Sequence, residues 1–154
     1  MDKKDLQNPA LYTNRELSWL LFNKRVLSEA RDKQLLLFER LKFLSITASN
    51  LDEFFMVRIG SLVDMIHAEY TKKDIAGMSA KEQLDALMEE THKFAALQYS
   101  TYNRMLLPQL RANGLNFVEH HEQLTERQAQ YVDEYFEENV LSLIHISEPT
   151  RLLS

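Results

Sequence analysis

Residues 41–66, LKFLSITASNLDEFFMVRIGSLVDMI, decide the fold. Leu41, Phe43, Leu44 and Ile46 form an apolar run that stops at the polar corner Thr47-Ala48-Ser49-Asn50. Leu51, Phe55, Ile59, Leu62 and Ile66 then recur at about four-residue spacing, which places them on one helix face. The pattern predicts two helices that meet at the corner. Ser49 and Asn50 are both good N-caps. Asp52 and Glu53 lie three residues further on, where an acid can reach back to the cap and suits the positive end of the helix dipole.

Working outward, the low counts of Gly (3) and Pro (3) favour helices over a turn-rich sheet, and 45% hydrophobic residues are enough for a core. A chain of 154 residues is read as one domain, or one and part of another. There is no cysteine, so disulfides and thiolate chemistry are excluded. The start, MDKKDLQNPA, has no apolar core of a signal peptide, and no apolar run is long enough to span a membrane, so a cytoplasmic location is expected. The net charge of -5 argues against a dedicated nucleic-acid binder. Residues 1–60 carry 10 Lys/Arg against 8 Asp/Glu, whereas residues 61–154 carry 8 against 15. The first part is mildly basic, which fits either a phosphate-facing surface or an ordinary solvated one.

Asn8-Pro9 signals a turn. Asn14 is placed as the N-cap of a first helix running to about residue 31. This helix carries Leu17, Trp19, Leu20, Leu21, Phe22, Val26 and Leu27, so apolar all round that it needs partners on more than one side. Trp19 reads as a core anchor or as a surface for ligand stacking. Asp32-Lys33-Gln34 is a polar break. A second helix is expected over about 36–48, with Arg40 and Lys42 facing solvent or snorkelling, and a third over about 50–70. Arg58 suits an ion pair with Glu16, Glu39 or another acid, or a phosphate. Ser79-Ala80-Lys81-Glu82 is a capping box opening a long helix. Pro108 either kinks that helix or starts a short one after it. Asn113-Gly114 is a stop, Leu115-Asn116-Phe117-Val118 reads as short and extended, and Thr125-Glu126-Arg127-Gln128 opens a further helix. The fold class is therefore all-α: a bundle of about four helices, then a short extended segment and one more helix. Trp19, Leu20, Leu44, Phe55, Ile59 and Leu62 are expected in one core.

No complete catalytic constellation can be read. The glycines stand alone and form no phosphate-cradling loop, and His67, His92, His120 and His121 lack metal-ligand spacing. Asp52-Glu53 and Glu89-Glu90 are adjacent acids, which do not converge on a helix. No catalytic and no metal-binding residue is assigned.

The string Ser49-Asn50-Leu51-Asp52-Glu53-Phe54-Phe55, followed by Val57-Arg58, is more specific than capping requires. With Asn14-Arg15-Glu16-Leu17-Ser18-Trp19-Leu20 and Phe22-Asn23 upstream, it resembles the N-terminal domain of class-1 polyphosphate kinases. The resemblance implies an enzyme that transfers the γ-phosphate of ATP reversibly to polyphosphate through a phosphohistidine, with Mg²⁺. The nucleophilic histidine and metal ligands lie in later, phospholipase D-like domains absent from this sequence. It further implies that Asn50 contacts the nucleotide and that the parent enzyme is a homo-oligomer binding ATP or ADP and polyphosphate, not nucleic acid. Residues 1–113 correspond to the N-terminal helical domain and 114–140 to the start of the middle domain. Residues 141–154 depart abruptly from that pattern. The string LSLIHISEPTR within them resembles a translated transposon sequencing adaptor, so a non-native tail is expected there. A non-catalytic helical interaction module is the alternative reading of the chain.

Overall fold

The computed structural model describes residues 7–141. Among them there is no β-strand, and the chain divides into two compact units with the boundary after Gly114. In the first unit, α1 (Arg15–Arg31), α2 (Leu37–Phe54), α3 (Gly60–His67), α4 (Ala80–Thr101) and α5 (Leu107–Ala112) follow one another. A π turn, Phe55–Ile59, carries α2 directly into α3, and a second, Tyr102–Leu106, carries α4 into α5. α1 packs along both α2 and α4.

The expected caps at Asn14 and Ser79 are present. Asn14 Oδ1 accepts from the backbone N–H of Glu16 (3.0 Å) and Leu17 (2.9 Å), two of the donors that a helix start leaves unpaired. Its Nδ2 donates to Asp74 (2.7 Å) and Gln83 (2.8 Å), so the same side chain pins α1 to α4 and to the loop before it. Ser79 and Glu82 close the capping box on α4. In the loop before α4, Gly77 has φ +81°, and a Cβ there would lie 3.2 Å from Pro9 Cβ. Both its backbone angle and the approach of the turn Pro9–Leu11 call for glycine.

The corner expected at residues 47–50 does not form. α2 runs through it to Phe54, and Asn50 is not an N-cap. Thr47 and Asn50 each find a side-chain partner on a neighbouring helix, which weakens the reason to break the helix there. Thr47 donates its hydroxyl to Leu44 O (2.7 Å) and accepts from Gln98 Nε2 of α4 (3.0 Å). The apolar stripe survives for a geometric reason. Each four-residue step in an α-helix overshoots a full turn by about 40°. The π turn, closed by Gly60 N–H donating to Phe55 O, absorbs that overshoot after Phe55.

The expected single core is two clusters. Leu20, Phe54, Ile59, Leu62, Ala80 and Leu87 form one, with Trp19 and Phe55 half-buried against it. Leu27, Ala30 and Phe94 form the other, and Leu44 packs there. Arg40 is also a correction. It is 2% exposed rather than at the surface, with Nε donating to Ala30 O (3.0 Å) and Nη1 to Gln109 Oε1 (2.9 Å). The end of α1 offers unpaired carbonyls and the negative end of its dipole, so a buried guanidinium finds a partner there.

In the second unit, residues 115–119 lie outside any helix, and a short 3₁₀ turn (His121–Gln123) precedes α6 (Glu126–Tyr135). The expected capping box at Thr125 and Gln128 opens α6, and a π turn, Phe136–Leu141, follows it. None of the described residues of this unit is buried. The expectation of a non-native tail falls, apart from Leu141, outside the described residues. Among the described residues no helix is long and apolar enough to cross a membrane.

Candidate functional site

Asn50 sits in the last turn of α2, one residue before the stripe that packs on the core. It lines a depression of about 210 Å³ together with Trp19, Phe22, Glu53, Phe54, Val57 and Arg58. Pockets that enclose whole small molecules run to roughly 300–1,000 Å³, so this one has room for a single ring system and not for an entire nucleotide. Trp19 forms one wall, stacked on the buried ring of Phe54 with centroids 4.3 Å apart and planes 10° from parallel. The two readings of Trp19 are thus compatible: it anchors the core through Phe54 and still lines the depression.

The amide of Asn50 is held from behind. Asn23 of α1 is fully buried, and its Nδ2 donates to the backbone carbonyl of Thr47 (3.1 Å). Its Oδ1 accepts from Asn50 Nδ2 (3.1 Å). With Gln98 on Thr47, a polar thread runs from α4 through α2 and α1 to Asn50. A thread whose buried members are all bonded fixes the register of the helices that it crosses, because any slip strands a donor or acceptor in the core. The donor and acceptor roles follow from the chemistry. Thr47 O can only accept, so Asn23 presents Nδ2 to it and Oδ1 to Asn50, and Asn50 answers with an N–H. Asn50 Oδ1 has no partner within the described chain, and one N–H of its amide is spare.

Arg58 is 47% exposed at the rim. Its Nε lies 3.9 Å from Glu16 Oε2, while Arg15 approaches Glu16 at 2.6 Å. The expected ion pair is therefore present but loose, a half-exposed guanidinium at long range from a buried carboxylate that Arg15 already pairs. Most of the Arg58 charge remains available at the mouth of the depression. Arg58 also borders a larger cavity of about 420 Å³ shared with Asn14, Glu16, Asp74 and Gln83. No group of three or more His, Asp or Glu converges to hold a metal among the described residues.

The sequence singled out Asn50 and weighed Trp19 and Arg58, and the fold brings all three to one depression. It missed Asn23, Thr47 and Gln98. The available signal was an asparagine in the apolar run of α1, where a leucine would be cheaper to bury.

Fold and site define an all-α domain whose core is built by α1, α2, α3 and α4, with one small, amide-bearing depression. The chain belongs to the polyphosphate kinase N-terminal domain family, which it matches over residues 12–118. It is 43% identical over 141 residues to a polyphosphate kinase of Bacillus anthracis, covering 91% of this chain and 20% of that protein. A polyphosphate kinase of Lactiplantibacillus plantarum is 48% identical over 129 residues, covering 84% of this chain and 18% of that protein. The crystal structure of polyphosphate kinase from Porphyromonas gingivalis matches with a TM-score of 0.66 and 31% identity, covering 84% of this chain and 18% of that one. The chain thus spans about a fifth of the length of these relatives.

Proposed function

We propose that this chain is the N-terminal part of an ATP:polyphosphate phosphotransferase, and that its depression receives the base end of ATP. The observation that carries the reading is the Asn50 amide, held by Asn23 through one N–H and with Oδ1 and its second N–H free, in a depression lined by the stacked Trp19–Phe54 pair and Arg58. An amide with one free acceptor and one free N–H matches the alternating donors and acceptors of a purine edge. The aromatic wall suits a flat ring, and the ring-sized volume leaves the phosphates outside. In this reading the phosphohistidine, the Mg²⁺ ligands and the polyphosphate path belong to the part of the relatives that this chain does not span. Residues 114–140 begin the next domain, residues 141–154 are non-native, and the parent enzyme is a cytoplasmic homo-oligomer.

Phosphoryl transfer needs positioned cations and a nucleophile. Residues 1–140 alone are therefore expected to make no polyphosphate from ATP, and synthesis by the purified segment would overturn this. The site is tested in a full-length polyphosphate kinase carrying residues 1–140 as its N-terminal segment. Asn50 is remote from the transferred phosphoryl group, so its loss removes binding that is equal in ground and transition states. Asn50→Ala is expected to raise KM for ATP about 5- to 30-fold and to change kcat much less. An unchanged KM would remove the nucleotide role.

A further inference from the structure

We propose that Asn23 is a positioning residue for nucleotide binding: clamped on the Thr47 carbonyl, its buried amide fixes the orientation of Asn50. The proposal rests on the reading of Asn50 given above.

Asn23 touches no part of the depression and is completely buried. Its two bonds, 3.1 Å to Thr47 O and 3.1 Å from Asn50 Nδ2, use the amide in one sense only. Flipping it would set its carbonyl oxygen against the Thr47 carbonyl and its NH₂ against the NH₂ of Asn50. The lock therefore passes to Asn50, whose side chain is half-buried and would otherwise be free to rotate its amide. Held this way, Asn50 directs Oδ1 and its second N–H away from Asn23. The torsional order that a purine would have to impose on binding is already present in the empty site, and preorganisation of this kind appears in affinity rather than in the chemical step. Thr47 is itself braced by Gln98 and Leu44, so the clamp does not move with a single side chain.

The experiment uses the same full-length enzyme and reads KM for ATP, kcat and Tm for Asn23→Leu, Asn50→Ala and the double variant. Leucine keeps the branched shape of Asn23, although it is bulkier, and removes both bonds. The expected result is that Asn23→Leu raises KM about 3- to 10-fold with kcat nearly constant, and adds nothing in the Asn50→Ala background. Asn23→Ser, too short to span both partners, serves where the leucine variant does not fold. Leu106→Ala opens a cavity at a buried position that does not line the depression. It is expected to lower Tm and leave KM unchanged. If Asn50→Ala raises KM while folded Asn23 variants do not, the positioning role is wrong and the reading of Asn50 stands. An Asn23 effect that persists fully in the Asn50→Ala background, or a Leu106→Ala variant with the same KM increase, assigns the effect to general loosening of the core and overturns the proposal. If Asn50→Ala itself leaves KM unchanged, the underlying reading falls first.

Discussion

Two long helices of the first unit widen by one residue, and they do so for different reasons. Between α4 and α5, Leu107 N–H donates to Tyr102 O, and Pro108 follows at once. A proline ring inside an α-helix lacks an N–H and collides with the carbonyl four residues back. The wide turn sets Pro108 in the first turn of a new helix, where a missing N–H costs little. Around it, Leu106, Leu107 and Leu110 are buried. Between α2 and α3, Gly60 N–H donates to Phe55 O with no proline nearby. Gly60 does not force the turn either, since a Cβ there would meet only Phe55 O at an ordinary 3.9 Å. Here Met56 and Val57 are exposed, and Arg58 lines the depression with Asn50. Both turns end on a buried residue, Leu106 and Ile59, but one answers to a local covalent constraint. The other is held by the tertiary structure and borders the candidate site, in keeping with the frequent use of π turns at functional positions.

The largest test of that contrast strikes the packing beside each turn. Phe54→Ala is expected to cost about 3–5 kcal/mol and Leu106→Ala about 2–5 kcal/mol, read as shifts of the urea midpoint. A Phe54→Ala cost under about 1 kcal/mol would mean that the first turn does not rest on a packed core. Arg40 ties α2 to Gln109, just past the second turn. Arg40→Lys keeps the charge and loses the fork, so a cost of about 1–3 kcal/mol is expected from the buried acceptors left unpaired; no change in thermal unfolding would show that the tie is idle.

At the start of α4 the signal is purely local. Ser79→Ala should cost about 1 kcal/mol. The backbone bond from Ser79, helped by its side chain and by Lys73, holds the Glu82 carboxyl below the usual glutamate range. A lowered folded-state pKa means that this contribution is complete above the unfolded value, about 4.3, and fades as pH falls through the folded one. The penalty of Glu82→Gln, which removes the carboxylate that accepts from the Ser79 backbone N–H, should therefore shrink when denaturation is measured in more acidic buffer than pH 7. A penalty that stayed constant down to pH 3 would remove the carboxylate from the account.

The smallest effect has the opposite sign. Glycine in a helical stretch is about 0.5–1 kcal/mol less favourable than alanine, and Gly60 has helical backbone angles and room for a methyl group. Gly60→Ala is expected to stabilise the domain by that amount. Destabilisation by differential scanning calorimetry would mean that the first turn needs glycine after all, and the contrast with Pro108 would weaken.

The amino-acid sequence by itself determined the helix starts at Asn14, Ser79 and Thr125, the stop at Gly114, the all-α class and the family. These signals act within one helical turn or through periodicity, so no distant residue is needed to read them. It also marked Asn50, but placed that residue in a cap that does not exist. Whether Thr47-Ala48-Ser49-Asn50 breaks a helix depends on whether its polar atoms find partners elsewhere, and Gln98 and Asn23, far away in sequence, supply them. The same holds for Arg40, whose burial became affordable only where the end of α1 and Gln109 met it. Local chemistry states which groups need bonds; the tertiary structure decided which bonds they received, because the cost of burying a polar group depends on partners that only the packed helices bring within reach.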